Sequence, residues 1–150
     1  MKLIAIAVAF LSLSGPAWGA AGGCHVVTGG FVAVALDPFT ADCPSFFCTA
    51  GTLTGDLAGS YKFVAYGVTP SGDLLGHSTI TLTNGAVING NDQSHLNGDG
   101  TFVTTVTFVS GTRQFAHVTG GLVAPGHFTA TGGTEGTYSG EYCLGNGGDD

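Results

Sequence analysis

Apolar and polar residues alternate along most of the chain after residue 24, in short runs that turn residues separate. The clearest run covers residues 101–109, where Phe102, Val106 and Phe108 share one side with Thr104. The opposite side carries valine and threonine. Alternation with a period of two is typical of a β-strand with one face packed inward. We therefore expect the phenylalanine side of this strand to face the core.

The last strand-like run, residues 137–144, has the same pattern. Tyr138 and Tyr142 lie on one side together with Gly140, whereas Glu141 lies on the other. A one-residue slip in register would turn the tyrosines to solvent and bury the acid, so this register is strongly favoured. The pattern predicts tyrosines that point inward and acids that face water.

Turn residues divide the chain into eight or nine strands. Asn84-Gly85 is the strongest hairpin dipeptide, and residues 70–73 and 97–100 have the composition of turns. The predicted strands cover residues 25–36, 52–57, 61–69, 74–83, 86–89, 101–109, 114–119, 127–131 and 137–144. Residues 89–92 are interpreted as a second polar turn, and residues 91–97 are too polar to assign. Short strands with short connections predict an all-β fold, a single antiparallel up-and-down barrel of about eight strands, with a β-sandwich as the alternative.

Composition supports strands over helices. Only 9% of the residues are charged, and 27 of the 150 residues are glycine. Lysine, glutamate and arginine, which fill the surfaces of helices, are scarce, whereas glycine permits the sharp coiling that a barrel demands. Ten acidic and three basic residues give a net charge of −7. No basic patch can form to hold phosphates, so nucleic acid is excluded as a partner.

The first residues have the organisation of a secretory signal peptide. Lys2 precedes an apolar run over residues 3–13, and Gly15-Pro16 and small residues follow up to Gly19. The apolar run is too short to span a bilayer, which takes about 20 residues. We expect residues 1–19 to be a signal peptide and residues 20–150 to form one barrel domain without a membrane span. The protein would then be secreted or periplasmic; the alternative is a lipid anchor through Cys24, because residues 21–24 resemble a lipobox.

Four cysteines follow the predicted cleavage site. An even number in an exported chain indicates disulfides, and four cysteines allow three pairings. We predict Cys24–Cys143 and Cys43–Cys48. In a closed antiparallel barrel with an even number of strands, the start of the first strand lies beside the end of the last, where Cys24 and Cys143 stand. The spacing matches no common zinc site, so no metal is expected.

The stretch at residues 110–121 (SGTRQFAHVTGG) resembles the glycine- and threonine-rich hairpin of the allene-oxide-cyclase-like and dirigent-like barrels. Residues 126–128 (GHF) and 136–142 (GTYSGEY) are similar to the closing strands of such a barrel. The resemblance implies eight strands around an apolar cavity that shapes a reactive intermediate, and in some members the cyclisation or coupling of a small apolar compound. It implies catalytic groups inside the cavity but assigns that role to no residue of this chain.

Three side chains are candidates for catalysis. His117 and Arg113 share one side of their segment with Phe115, and they would be functional if that side faced a cavity, because burying either one is costly. Glu141 is one of only two glutamates and would need burial to act as an acid. No His-rich metal motif, no serine or cysteine nucleophile motif and no calcium loop is present. No cofactor is expected.

Three functions fit these observations. The first is a binding or scaffold barrel for a small apolar ligand. The second is an allene-oxide-cyclase-like or dirigent-like barrel that guides a cyclisation or coupling, so that any enzymatic activity would be of the cyclase or isomerase type. The third is an interaction or assembly protein of the cell surface. A cavity lined by at least two converging polar groups would favour the second function. The oligomeric state stays open.

Overall fold

Eight antiparallel strands close into a barrel in the computed structural model, which describes residues 23–145. The strands are β1 (Cys24–Ala35), β2 (Cys48–Leu53), β3 (Gly59–Val68), β4 (Leu74–Leu82), β5 (Val87–Leu96), β6 (Thr101–Gly111), β7 (Val118–Phe128) and β8 (Thr134–Leu144). Each strand pairs with the next one along the chain, and β1 also pairs with β8. The predicted up-and-down barrel is confirmed, and the alternative of a β-sandwich is wrong.

The barrel closes where the two ends of the described chain meet. Cys24 of β1 is the register partner of Cys143 of β8, and a disulfide joins them with 4.0 Å between their Cα atoms. A second disulfide joins Cys43 to Cys48 at the start of β2. Both predicted pairings are confirmed.

Strand periodicity sorts side chains to the two faces as the sequence predicts. On β6, Phe102, Val106 and Phe108 are buried in the barrel, whereas Val103 and Val109 are exposed. On β8, Tyr138 is buried and Glu141 is exposed. Apolar side chains of the strands therefore fill the barrel in two clusters, a larger one and a smaller one of Phe63, Ala65 and Leu74.

Two single-turn 3₁₀ helices, Gly55–Leu57 and Arg113–Phe115, close the barrel end at which β2 and β6 finish. Leu57 and Phe115 insert into the core there. The predicted strand over residues 114–119 is wrong over residues 114–117, since β7 begins at Val118. Arg113 has a φ of 55°, which takes the chain out of the extended conformation and allows Phe115 to turn inward before β7 begins.

The polar segment that the sequence left unassigned belongs to β5. Residues 89–92, which were expected to form a turn, lie within this strand. Its outward side chains are satisfied across the sheet: His77 Nδ1 lies 2.9 Å from Asn91 Oδ1, and the Thr79 hydroxyl donates to Asn89 Oδ1 at 3.2 Å. Cross-strand hydrogen bonds of this kind stabilise a strand whose composition favours a loop.

The predicted signal peptide, residues 1–19, lies outside the described residues. Between residues 23 and 145, the helices are too short and not apolar enough to cross a membrane.

Candidate functional site

A cavity of about 90 Å³ occupies the half of the barrel away from the two 3₁₀ helices. It lies toward the end at which β1 and β7 finish. Its walls are mainly aromatic and aliphatic, formed by Phe31, Phe47, Leu53, Tyr61, Phe63, Leu74, Ile80, Leu96, Phe102, Val106, Leu122, Ala124, Phe128 and Tyr138. A smaller polar set interrupts these walls: Thr49, Ser78, Asp92, Ser94, Thr104 and Thr134. The composition is that of a site for a small organic molecule.

Phenylalanine rings make up much of the wall. The rings of Phe102 and Phe128 lie 5.2 Å apart between centroids, and those of Phe31 and Phe102 lie 6.3 Å apart. Phe47 contributes a further ring, 6.2 Å from Phe63 and 6.1 Å from Phe128. Tilted and edge-on rings at these separations present both faces and edges to a ligand.

Asp92 is the acidic side chain of the cavity, and only 4% of its surface is exposed. The strand alternation of β5 directs it inward. The hydroxyl of Ser78 donates a hydrogen bond to Asp92 Oδ2, whereas Asp92 Oδ1 has no hydrogen-bond partner. Gly76 is its register partner on β4, and the ring of Phe63 occupies the place that a side chain there would take.

Burial raises the pKa of Asp92 to about 7, although hydrogen bonds from Ser78 counteract part of the rise. Removing a carboxylate from water penalises its charged form, so near neutral pH a substantial fraction of this group carries a proton. A protonated carboxyl can donate a hydrogen bond or a proton to a ligand, and an ionised one can accept a proton. This single group can therefore perform both halves of an acid–base cycle.

Two further polar pairs lie on the cavity wall. Ser94 Oγ and Thr104 Oγ1 are 2.7 Å apart, and Tyr61 OH lies 3.5 Å from Thr134 Oγ1. Burial raises the pKa of Tyr61, so its hydroxyl keeps its proton at neutral pH. Together with Asp92, these hydroxyls give the cavity several groups that can orient a ligand oxygen.

The three candidate residues from the sequence lie elsewhere. Arg113, His117 and Glu141 are all exposed, and none of them lines the cavity. The guanidinium of Arg113 donates to the carbonyl of Asn84 in the neighbouring turn. No hydrogen bond or ion pair joins any two of the three in the described chain. The condition that would have made His117 and Arg113 functional, a position facing the cavity, is not met.

Sequence reasoning missed Asp92 because it lies in a polar run that was interpreted as a turn. A signal was nevertheless present. Counting in steps of two from Ile88 passes through Gly90, Asp92 and Ser94, and all four positions are buried on the inner face of β5. An acid at an inward position of a strand is the pattern that identifies this site.

Outside the cavity, two histidine–carboxylate pairs lie on the barrel surface of the described chain. His95 Nδ1 lies 2.8 Å from Asp73 Oδ1, and His127 Nε2 lies 3.0 Å from Glu135 Oε1. Within residues 23–145, no group of three histidine, cysteine, aspartate or glutamate side chains is arranged to hold a metal ion.

Comparisons with known proteins relate the chain to solved structures through its fold. No protein-family model matches the sequence, and no curated protein matches it. The structure of the pterocarpan synthase dirigent protein GePTS1 superposes with a TM-score of 0.60 and 13% sequence identity. The match covers 87% of this chain and 90% of the other. This agreement confirms the resemblance to the dirigent-like barrels at the level of the fold.

Proposed function

Starting from a chain that has the barrel fold of a dirigent protein, we propose that its cavity binds a small, mostly apolar compound with one aromatic ring and a hydroxyl on a carbon attached to that ring. We propose further that Asp92 protonates that hydroxyl and so assists its departure as water. The observation that carries the proposal is Asp92 Oδ1, a buried carboxyl oxygen without a partner in a cavity lined by aromatic rings.

The walls suit such a ligand. A ligand that packs against rings such as Phe31 and Phe102 gains about 25 cal/mol for each Å² of apolar surface removed from water. These rings can also stack on an aromatic ligand. A buried polar atom without a hydrogen bond lowers the stability of the folded protein by about 1–3 kcal/mol, so the unpartnered oxygen of Asp92 is costly. A ligand hydroxyl that reached Asp92 would remove this cost, which favours ligands with a polar group at one end.

The chemistry follows from the protonation state of Asp92. The neutral carboxyl gives its proton to the ligand hydroxyl, the carbon–oxygen bond breaks, and water leaves with the electron pair. A nucleophilic oxygen, from the ligand itself or from water, then attacks the cation and returns its proton to Asp92. The acid is regenerated, and the cavity contributes orientation and exclusion of bulk water.

Three observations support this reaction over the simple binding barrel, which is the second candidate. The cavity contains several polar groups that converge on one space, namely Asp92, Ser94, Thr104 and Tyr61. The fold is that of a protein described as a pterocarpan synthase. A barrel that only bound its ligand would not need a carboxyl whose pKa is raised to about 7.

Export is part of the proposal. Disulfides form and persist in oxidising compartments, and the Cys24–Cys143 and Cys43–Cys48 bridges are both present. The sulfur of Cys24 is used in its bridge, which favours a secreted or periplasmic protein over one anchored through a lipid on Cys24. Mass spectrometry of the mature N-terminus tests this: cleavage after residue 19 is expected, and an acylated cysteine would contradict it.

The proposed reaction is tested with p-hydroxybenzyl alcohol in oxygen-18-labelled water. Departure of the hydroxyl as water and attack by labelled water would place the label in the alcohol, which mass spectrometry detects. We expect the protein to accelerate this exchange and Asp92→Asn to lower the rate by about 100-fold. Asp99→Asn, in an exposed turn, is the control and should leave the rate unchanged. Binding of the alcohol without exchange would leave the binding barrel as the function, and absence of binding would contradict both.

A further inference from the structure

Phe47 differs from every other residue of the cavity wall. Among the wall residues of the described chain, Phe47 alone precedes its strand and belongs to the loop over residues 36–47; the others lie in β1 to β8. Side chains on strands are held by the hydrogen-bonded ladder of a closed barrel. The ring of Phe47 is thus the part of the wall that a loop carries.

The position of this ring is at the entrance of the cavity. Phe47 contacts Phe63 on β3 and Phe128 on β7, at centroid distances of 6.2 and 6.1 Å. In the circular order of the eight strands, β3 and β7 stand four strands apart, on opposite sides of the barrel. The ring of Phe47 therefore spans the opening from one wall to the other.

The backbone beneath the ring is fixed. The carbonyl of Phe47 accepts a hydrogen bond from the Ala65 amide at 3.0 Å, and the carbonyl of Cys48 accepts one from the Leu36 amide at 3.0 Å. The Cys43–Cys48 disulfide, which is fully buried, ties the loop back to the start of β2. A change at this entrance is consequently a rotation of the Phe47 side chain and needs no rearrangement of the loop.

The cavity is small with the ring in this position. Its volume of about 90 Å³ is well below the roughly 300–1,000 Å³ of most ligand pockets. We infer that Phe47 is the residue that determines specificity in this barrel: its ring limits the bound ligand to about one aromatic ring and must swing aside for the ligand to enter. The inference rests on the proposed function, because it concerns the same cavity.

The neighbouring residue provides a matched control. Phe46 has the same side chain in the same loop, but 44% of its surface is exposed and it does not line the cavity. Phe46→Ala and Phe47→Ala therefore remove the same atoms from adjacent positions. Phe47→Leu is added as a variant that keeps apolar packing at the entrance if the alanine variant fails to fold.

The experiment measures binding of two phenols to the oxidised protein by isothermal titration calorimetry and NMR line shape. The one-ring probe is p-hydroxybenzyl alcohol, and the two-ring probe is 2-naphthol. For Phe47→Ala we expect the affinity for 2-naphthol to rise at least about tenfold relative to the one-ring probe, with faster dissociation of both. Phe47→Leu should change the ratio in the same direction by less, and Phe46→Ala should leave it unchanged.

The outcomes separate this inference from the proposed function. Equal effects of Phe46→Ala and Phe47→Ala on the ratio of affinities would overturn the inference, as would tight binding of 2-naphthol to the unmodified protein. Either result leaves the proposed function standing if the one-ring probe binds and the protein accelerates its oxygen exchange, with Asp92→Asn lowering that rate. Failure of the one-ring probe to bind the unmodified protein and the Phe47 variants would overturn both.

Discussion

Ser78 and Asp92 are joined by a hydrogen bond inside the barrel although they are not register partners. Across the β4–β5 ladder, Asp92 is opposite Gly76 and Ser78 is opposite Gly90. The hydrogen bond thus runs diagonally across the ladder, and the register partner of each of its two residues is a glycine. A methyl group at Gly90 would overlap with Val106, so this arrangement of an acid, a hydroxyl and two glycines depends on all four positions.

Asp92 should make the stability of the protein depend on pH. Its pKa rises from 3.8 to about 7 on folding, so the folded state binds the proton more tightly than the unfolded state. The resulting stabilisation is complete below about pH 4 and is lost as the pH rises through 7. It amounts to up to about 4 kcal/mol.

Urea unfolding between pH 4 and pH 8 measures this effect. The unfolding free energy should fall across the interval in the unmodified protein, and the fall should be much smaller in Asp92→Asn. Above pH 7 the variant should be the more stable of the two, because it has no charge to bury. Parallel profiles for the two proteins would show that Asp92 does not titrate in this range.

Tyr138 connects the barrel wall to the 3₁₀ helix that closes one end. Its hydroxyl donates to the Thr54 carbonyl at 2.7 Å and accepts from the Leu57 amide at 2.9 Å. Tyr138→Phe leaves both backbone groups without a partner, and we expect a loss of about 1–3 kcal/mol in unfolding free energy. Tyr142→Phe is the control, since this half-buried ring makes aromatic contacts with its neighbours. Equal losses in the two variants would contradict the role given to the Tyr138 hydroxyl.

Gly76 keeps room for the ring of Phe63 on the inner face of β4. A Cβ atom there would overlap with that ring, whereas one at Gly67 would meet open space. Gly76→Ala should lower the unfolding free energy by about 1–3 kcal/mol and displace Phe63 toward the cavity, which would weaken binding of p-hydroxybenzyl alcohol. Gly67→Ala should change neither quantity. Thermal unfolding and calorimetry measure both effects, and unchanged binding in Gly76→Ala would argue against the contact.

The two disulfides should contribute unequally to stability. Cys24 and Cys143 are 119 residues apart, whereas Cys43 and Cys48 are 5 apart. If the bridges act mainly by restricting the unfolded chain, replacing the first pair by serine costs about 4–5 kcal/mol and replacing the second about 2 kcal/mol. Urea unfolding of the two double variants tests this order. The reverse order would show that native contacts at the Cys43–Cys48 loop outweigh the entropy of the unfolded chain.

Much of the fold could be predicted because the alternation of apolar and polar side chains can be recognised within each short run of sequence. Phe102 and Val106 repeat with the period of a strand, and the barrel follows when many such runs are joined by short turns. The pairing of Cys24 with Cys143 was predicted because the first and last strands of a closed antiparallel barrel are neighbours. These features depend on the backbone and not on the detailed contacts of any side chain.

The site could not be predicted because it departs from that pattern. Asp92 is a polar residue on an inner face, so the usual rule that acids face water assigns it to a turn. Arg113 adopts a conformation with positive φ, and this local change moves His117 away from the position that strand alternation implies. Both departures are decided by tertiary contacts: the bond from Ser78 and the insertion of Phe115 into the core.

Because Leu57 and Phe115 fill the barrel end that carries the two 3₁₀ helices, we expect ligands to enter and leave at the opposite end, where the ring of Phe47 lies. Under the proposed function, a product would have to leave through this end before the next ligand entered, so added product should inhibit the reaction.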